Sequence, residues 1–511
     1  MNKYLIGLDS GTSGIKAVLF DTKGNEIMKQ GYPLTPICPV ENWFEEDAHE
    51  IWTKAKLCIS TITDKISKES IIGLGITAQG DGLWMINENG EPVRNGCCFC
   101  DGRAGEQFAR WNQDGTSRKV FDLTGTRLFT GNQCCILKWM DEHEPASLSR
   151  AKYIMHLKDY LFYKLTGKVT TEVTDQSLIF LNMKTGRYDD RLFELYGLQK
   201  YRSKYPPIKT AAENKAYIAP EIAGKLGLGV NTLVTSGPMD VAACALGAGV
   251  VQKGHCCSII GTAALHEMVI EDPCADQIYS GMTVFHAVSG KYLRLMASLA
   301  GTPNQDWVLN TLGGGLKQEA KEQGKKVYAY LDEVVSSVPI GARGVMYHPY
   351  LLAGGERAPF TDPNARASFT GISVKNTLGD ILRACFEGVA YAMLDCYLHM
   401  PLEVEQITLC GGGVKSSVWS QILADAVGKK VVTVKGEELG AKGTVIHNAV
   451  VQGIYKDYQQ AIEETVAPEK VYECNMENHG KYLKYYKLYK KTYENLMETW
   501  KLRHDILFEQ Q

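Results

Sequence analysis

The stretch YLIGLDSGTSGIKAVLFD, residues 4–21, sets the strongest limit on what this chain can fold into. Apolar Leu5, Ile6 and Leu8 lead into a short run of Asp, Ser, Gly, Thr, Ser and Gly. Ile15, Ala17, Val18, Leu19 and Phe20 lead out of it. Two strand-like runs joined by so short a link read as a β-hairpin. Such a turn leaves backbone N–H groups and hydroxyls free to face an anion, with phosphate the leading candidate. The same residues also suit an ordinary turn.

The pattern returns in CCSIIGTAALHEMVI, residues 256–270, where a strand, Gly261-Thr262 and a second apolar run follow one another. Two halves that each open on a small-residue hairpin suggest a duplicated domain gripping one ligand in the cleft between them. At 511 residues the chain exceeds one core of usual size. The boundary is expected at LGAGVVQKG, residues 246–254, which gives domains 1–248 and 249–511. Strand-like and helix-like patterns alternate throughout, so the fold class is α/β. DAHEIWTKAKLCISTITDKI, residues 47–66, predicts a helix with Asp47 as N-cap and Glu50 closing a capping box. Its apolar face is Ile51, Ala55, Cys58, Ile59, Ile62 and Ile66. Near the end, Tyr482, Tyr486, Tyr489 and Tyr493 fall at helical spacing, which predicts tyrosines packed inward and lysines outward.

Composition excludes several classes. A net charge of −3 with interspersed signs gives no footprint for nucleic acid or an anionic membrane. No apolar run is long enough to span a bilayer. The start, MNKYLIGLDS, passes straight into the first strand without signal-peptide features, so a cytoplasmic protein is expected. Fifteen cysteines are scattered. Cys97 and Cys100 form one CxxC, without a second pair to complete a structural zinc site, so reduced, buried thiols are expected.

The familiar nucleotide motifs are missing. GEELGAKGT has the wrong glycine spacing for a Walker A loop, and GGGVKS, residues 411–416, only approaches GxGxxG. That glycine turn follows the strand-like QITLC and still offers close backbone approach and a helix N-terminus. In NTLVTSGPMDVAACALGAG, a strand, a Gly-Pro turn and a helix starting at Asp240 follow in order. Asp240 either caps that helix or serves as a general base at a strand end. The helix N-terminus should lower its pKa. A weak base suits phosphoryl transfer, which mainly demands a positioned hydroxyl.

Together these segments resemble the FGGY family of carbohydrate kinases, in the actin-like ATPase superfamily, in order over nearly the whole chain. GLDSGTSGIKAVLFD resembles its first phosphate hairpin, NWFEEDAHEIW its GWxExD segment, and ITAQGDGLWMINENGEPVRN its sugar-site strand and turn. SGPMDVAACALGAG resembles the catalytic-aspartate segment and IIGTAA the second phosphate hairpin. GERAPFTDPNARASFTGI is similar to the GERxPxxDPxARGxxxGL stretch, and LCGGGVKSSVWSQILADAVGKKV to the adenosine-binding segment.

The resemblance implies two actin-like (ribonuclease H-like) domains with an active-site cleft between them, ATP and Mg²⁺ as cofactors, and a small sugar or polyol as substrate. It implies that Asp240 orients and deprotonates the sugar hydroxyl and that Asp9 helps hold hydrated Mg²⁺. Gly11, Thr12, Ser13 and Lys16 would sit near the transferring phosphoryl group, and Gly261 and Thr262 on the nucleotide phosphates. Gly301 and the Gly411, Gly412, Gly413 turn would border the nucleotide. Gln79, Gly80, Asp81, Asp101 and Arg103 would line or support the sugar site, although Asp101 and Arg103 also suit a structural ion pair. A homodimer is only the family's habit.

Departures bear on the sugar. Gly80-Asp81 stands where glycerol kinases carry Arg-Glu and D-xylulose kinases Met-His. Val241 replaces the usual Gln or Asn after the base, and Ile136 replaces the Lys before Trp139. This combination looks most like L-xylulose kinases, and the AQGDG turn also resembles erythritol kinases. A carboxylate at the sugar turn favours a neutral small ketose or polyol over an anionic sugar acid. A sugar sensor without catalysis and an actin-like ATPase acting on a protein are the rival readings.

Overall fold

A computed structural model describes residues 2–273, 278–352 and 354–508. The opening hairpin forms: β1 (Tyr4–Gly11) pairs antiparallel with β2 (Gly14–Asp21), and Gly11 faces Gly14, so Thr12 and Ser13 alone make the turn. β3 (Glu26–Pro33) extends the meander, and β4 (Ile71–Ala78) runs parallel to β1 on its other side. With β5 (Lys215–Tyr217) and β6 (Leu233–Ser236) they make a six-stranded sheet in the order β5-β6-β4-β1-β2-β3.

The second half repeats the plan. β7 (His255–Ile260) and β8 (Ala264–Ile270) form the hairpin, β9 (Met282–Phe285) and β10 (Tyr292–Ser298) extend it, and β11 (Gln406–Cys410), β12 (Val431–Val434) and β13 (Pro468–Tyr472) follow. The seven-stranded order is β9-β10-β8-β7-β11-β12-β13. In each sheet the first hairpin strand has its antiparallel partner on one side and two successive parallel strands on the other, and an antiparallel strand closes that edge. The duplication is thus carried by topology.

Six helices matter to the argument: α1 (Ala48–Thr63), α2 (Asp240–Gly247), α3 (Leu378–Leu398), α4 (Ser417–Val427), α5 (Leu439–Val451) and α6 (Met476–Phe508). α1 buries Ile51, Ala55, Cys58, Ile59 and Ile62 as its periodicity requires, with Ile66 half-buried beyond its end. Asp47 caps it by accepting from the His49 N–H at 2.8 Å. The expected capping box does not form. Glu50 instead accepts from Thr35 Oγ1 at 2.8 Å and pairs with Lys54 at 2.6 Å, because a charged donor one turn away competes for its carboxylate.

The two sheets are joined by α5, which comes from the second half yet lies across β1 and β4 of the first. It also packs on α2 with almost no side chain between the backbones. A Cβ on Gly443 would stand 1.8 Å from the Ala243 carbonyl oxygen, and one on Gly247 would stand 2.0 Å from that of Leu439. Leu5, Val18 and Phe20 of the first sheet share an apolar cluster with Leu246, Ala441 and Val445 at this junction.

α6 packs its tyrosines inward as its spacing predicts: Tyr482, Tyr486, Tyr489 and Tyr493 are all buried. Tyr486 and Tyr493 donate to the two oxygens of Asp395 on α3, at 2.5 and 3.0 Å. The described cysteines are free thiols, most of them buried. Among the described residues no helix is long and apolar enough to cross a membrane.

Candidate active site

The end of β1 places Asp9 directly opposite Lys16 on β2, and Lys16 Nζ lies 3.2 Å from Asp9 Oδ2. Lys16 also reaches Glu438 in the second half of the chain, at 2.7 Å. Burial pushes the Asp9 carboxyl above its usual range, against the opposing pull of Lys16. The same cross-strand geometry leaves Ser13 exposed and Gly11 and Thr12 half-buried at the turn.

Thr12 connects this turn to a second constellation. Its hydroxyl donates to Gln79 Oε1 at 3.0 Å, and Gln79 Nε2 donates to the two Glu46 oxygens at 2.9 and 2.7 Å. Burial raises the Glu46 carboxyl to about 7, against the Gln79 hydrogen bonds. Next along the chain, Gly80 packs against the Met239 side chain, whose Cε would lie 2.5 Å from a Cβ placed there. Asp81 follows in the left-handed region at φ 56° and accepts from Asn132 Nδ2 at 2.9 Å. Burial lifts its carboxyl to about 6.

Asp101 and Arg103 form a buried ion pair, with Arg103 Nε 2.9 Å from Asp101 Oδ1 and Nη2 2.6 Å from Glu45. Asp101 Oδ2 also accepts from the Phe44 N–H at 2.8 Å. The guanidinium lies 4.4 Å from the Trp43 ring centroid and borders a groove of about 530 Å³ that Trp139 and His143 also line.

Asp240 opens α2, as its place after the Gly-Pro turn predicts. The loop before it is held by the Met239 N–H donating to Thr174 Oγ1 at 2.9 Å, and by Thr77 Oγ1 donating to the Pro238 carbonyl at 2.8 Å. Behind that loop Lys158 is buried between Glu172 and Asp175, at 2.7 and 3.0 Å. The acidity expected for Asp240 is reversed. Burial raises its carboxyl to about 7, and the charges of Asp9 and Asp175 push the same way. The Val241 N–H, 2.8 Å from Oδ1, is too little to offset the lost solvation.

In the second half, three separated segments meet at the end of β7. Thr302 donates its N–H and hydroxyl to the Gly261 carbonyl at 2.8 and 3.1 Å. Gly301 must lack a side chain there, since a Cβ would stand 2.4 Å from the carbonyl oxygens of Gly261 and Thr262. Gly411, at φ 86°, backs onto Ile260 in the same way, and Gly413 packs on the Ile260 side chain. Gly412 and Thr262 stay exposed. The structure thus gathers Gly261, Thr262, Gly301 and the Gly411–Gly413 turn around one strand end.

Two profiles, described as the N-terminal and C-terminal domains of the FGGY family of carbohydrate kinases, match residues 4–247 and 256–451. An erythritol kinase from Brucella abortus (strain 2308) is 30% identical over 471 residues, 91% of this chain and 90% of that protein. The chain belongs to the FGGY family of carbohydrate kinases. As an FGGY kinase it is an enzyme, a phosphotransferase. An L-xylulose/3-keto-L-gulonate kinase from Escherichia coli (strain K12) is 28% identical, with 96% of each chain covered. A ligand-bound xylulose kinase from Lactobacillus acidophilus shares the fold with a TM-score of 0.89, at 24% identity over 97% of this chain and 98% of that one.

Sequence reasoning missed several groups that the FGGY fold brings to these positions. Glu46, Asn132, Thr174 and Glu438 each hold a nominated residue or its loop from a distant segment. Only Glu46 carried a local signal, as one of two adjacent acids flanked by the aromatic Phe44 and the helix cap Asp47.

Proposed function

We propose that this kinase transfers the γ-phosphoryl group of ATP to a terminal hydroxyl of a small linear ketose or polyol, an L-xylulose-like ketose being favoured. The observation that carries this reading is Asp240, a buried carboxyl at the start of α2 that burial raises to about 7, with the charge of Asp9 pushing the same way. A base of that strength is half ionised near neutral pH and accepts the hydroxyl proton as the bond to phosphorus forms. Lys16 contributes positive charge beside the phosphate turn, and Thr12, Ser13 and Gly11 offer hydroxyl and N–H donors to phosphate oxygens. Gly261 and Thr262 face the remaining phosphates, with Gly301 and the Gly411–Gly413 turn at the nucleoside. Gln79, Asp81, Asp101 and Arg103 serve the sugar.

Mg²⁺ fits the donors present. A small hard cation takes one or two carboxylates and completes its shell with waters and phosphate oxygens. Asp9 would hold it, directly or through water. When bound, it would offset charge on the phosphates.

The curated relatives support the substrate class: one is named an erythritol kinase and another an L-xylulose/3-keto-L-gulonate kinase. A polyol kinase is the second reading, favoured by the erythritol kinase likeness. ADP release should be measured with Mg²⁺ and ATP against L-xylulose, D-xylulose, L-ribulose, erythritol and glycerol, with Asp240→Ala as control. One sugar far above the others, silent in the control, supports the proposal. Turnover that survives in the control overturns the role of Asp240.

A further inference from the structure

Beneath the junction of the two halves, three thiols from separate elements converge. Cys244 lies on α2, one helical turn after Asp240. Cys257 lies on β7, and Cys410 is the last residue of β11 before the Gly411 turn. Cys257 pairs with Thr408 in the parallel register, so Cys410, two residues on, leaves the same face of the sheet. The three Sγ atoms all lie within 4.8 Å of one another, and those of Cys257 and Cys410 are 3.8 Å apart. A tetrahedral ion with metal–sulfur bonds of about 2.3 Å holds its sulfurs about 3.8 Å apart.

A second observation points to the same place. Glu267 is the direct cross-strand partner of Cys257, so both side chains leave one face of the sheet. It is fully buried, and neither carboxylate oxygen has a hydrogen-bond partner among the described residues. An unpaired acid in such a position is costly without a cation or a retained proton.

We propose that Cys244, Cys257 and Cys410 form a binding site for a thiophilic divalent cation of the Zn²⁺ or Cd²⁺ class, with the unpaired Glu267 as a neighbouring negative charge outside the three-sulfur set. Binding forms three metal–sulfur bonds, and the thiol protons present in the free site leave to solvent. The bound cation ties α2, which carries Asp240, to the two strands that end in the Gly261 and Gly411 turns. The site stands whether or not Asp240 is the base.

The test is titration of the reduced full-length protein with Cd²⁺, read by the thiolate-to-metal charge-transfer band and by the melting temperature. One equivalent should bind, Zn²⁺ should compete, and the melting temperature should rise. Cys257→Ser and Cys410→Ser each remove a direct ligand and should weaken binding at least as much as the roughly 10–100-fold that loss of an outer partner costs. Exposed Cys38→Ser should leave it unchanged. Another close pair of thiols, Cys98 and Cys100 with sulfurs 2.7 Å apart, provides the counter-test. Binding that survives Cys257→Ser/Cys410→Ser and disappears in Cys98→Ser/Cys100→Ser overturns the assignment. Should a serine variant not fold, ¹¹³Cd resonance of the wild-type protein decides: a shift for three sulfur ligands supports the site, and a shift for two or fewer sinks it.

Discussion

Lys16 of the first sheet is ion-paired with Glu438 of the second half at 2.7 Å, which closes a charge chain that begins at Asp9. In the state described, the cation expected to meet the phosphates is already held by two carboxylates. Freeing it from one should favour ATP. Glu438→Gln is expected to lower the KM for ATP severalfold with kcat little changed. Lys16→Ala should cut kcat/KM by roughly 10²–10³-fold. Steady-state kinetics in ATP on both variants checks the pair, and an unchanged or higher KM in Glu438→Gln would count against the competition.

The proposed role of Asp240 as base predicts the pH response. Its carboxyl must be ionised to accept a proton, so kcat/KM for the sugar should rise as pH climbs toward about 7. Asp240→Asn should lose roughly 10²–10⁴-fold in kcat. Stability moves the other way. The folded pKa exceeds the unfolded one, so ionisation of Asp240 in the unfolded chain progressively lowers stability between pH 3.8 and about 7. Asp240→Asn should therefore melt above the wild type at pH 8, with the gap narrowing toward pH 4. A gap independent of pH would refute the buried-charge argument.

Glu46 adds a second ionisation to the same limb. Its carboxyl, raised to about 7, accepts both Gln79 hydrogen bonds, and Gln79 in turn positions Thr12. Glu46→Gln leaves only one side-chain oxygen to accept. We expect a higher KM for the sugar and an acid limb that needs one ionisation where the wild type needs two. A pH–rate profile of the variant as steep as the wild type would exclude Glu46 from the titration.

At Gly80, a methyl group would press on Met239, the residue before Asp240, at 2.5 Å. Met239 is flexible at that end, so Gly80→Ala should fold with the Met239 side chain displaced within the sugar-side wall. The expected result is a KM for the sugar raised about tenfold or less, with the melting temperature nearly unchanged. A loss confined to kcat would place the effect on the base and not on sugar binding.

On α6, Tyr493 gives Asp395 one of its two tyrosine hydrogen bonds at 3.0 Å. Tyr493→Phe leaves that buried oxygen without its donor, which costs about 1–3 kcal/mol. The urea midpoint should fall accordingly, while kcat stays near wild type because the change lies away from the cleft residues.

What was legible in the sequence was local. The two hairpins, the start of α2 at Asp240, the apolar face of α1 and the inward tyrosines of α6 each follow from spacing within a dozen residues or so, where backbone geometry repeats. Tertiary structure decided what depends on residues far apart in the chain. Glu438 meets Lys16, and Cys410 meets Cys257, only because the second half folds back onto the first. Glu50 accepts from Thr35, brought to it from before the helix, as well as from its own helix neighbour Lys54. Asp240 shows the difference most clearly: its position was written in a Gly-Pro turn and a helix start, but its acidity was not. Periodicity places a residue on an element, whereas the cost of its charge depends on how much water the rest of the chain removes from it.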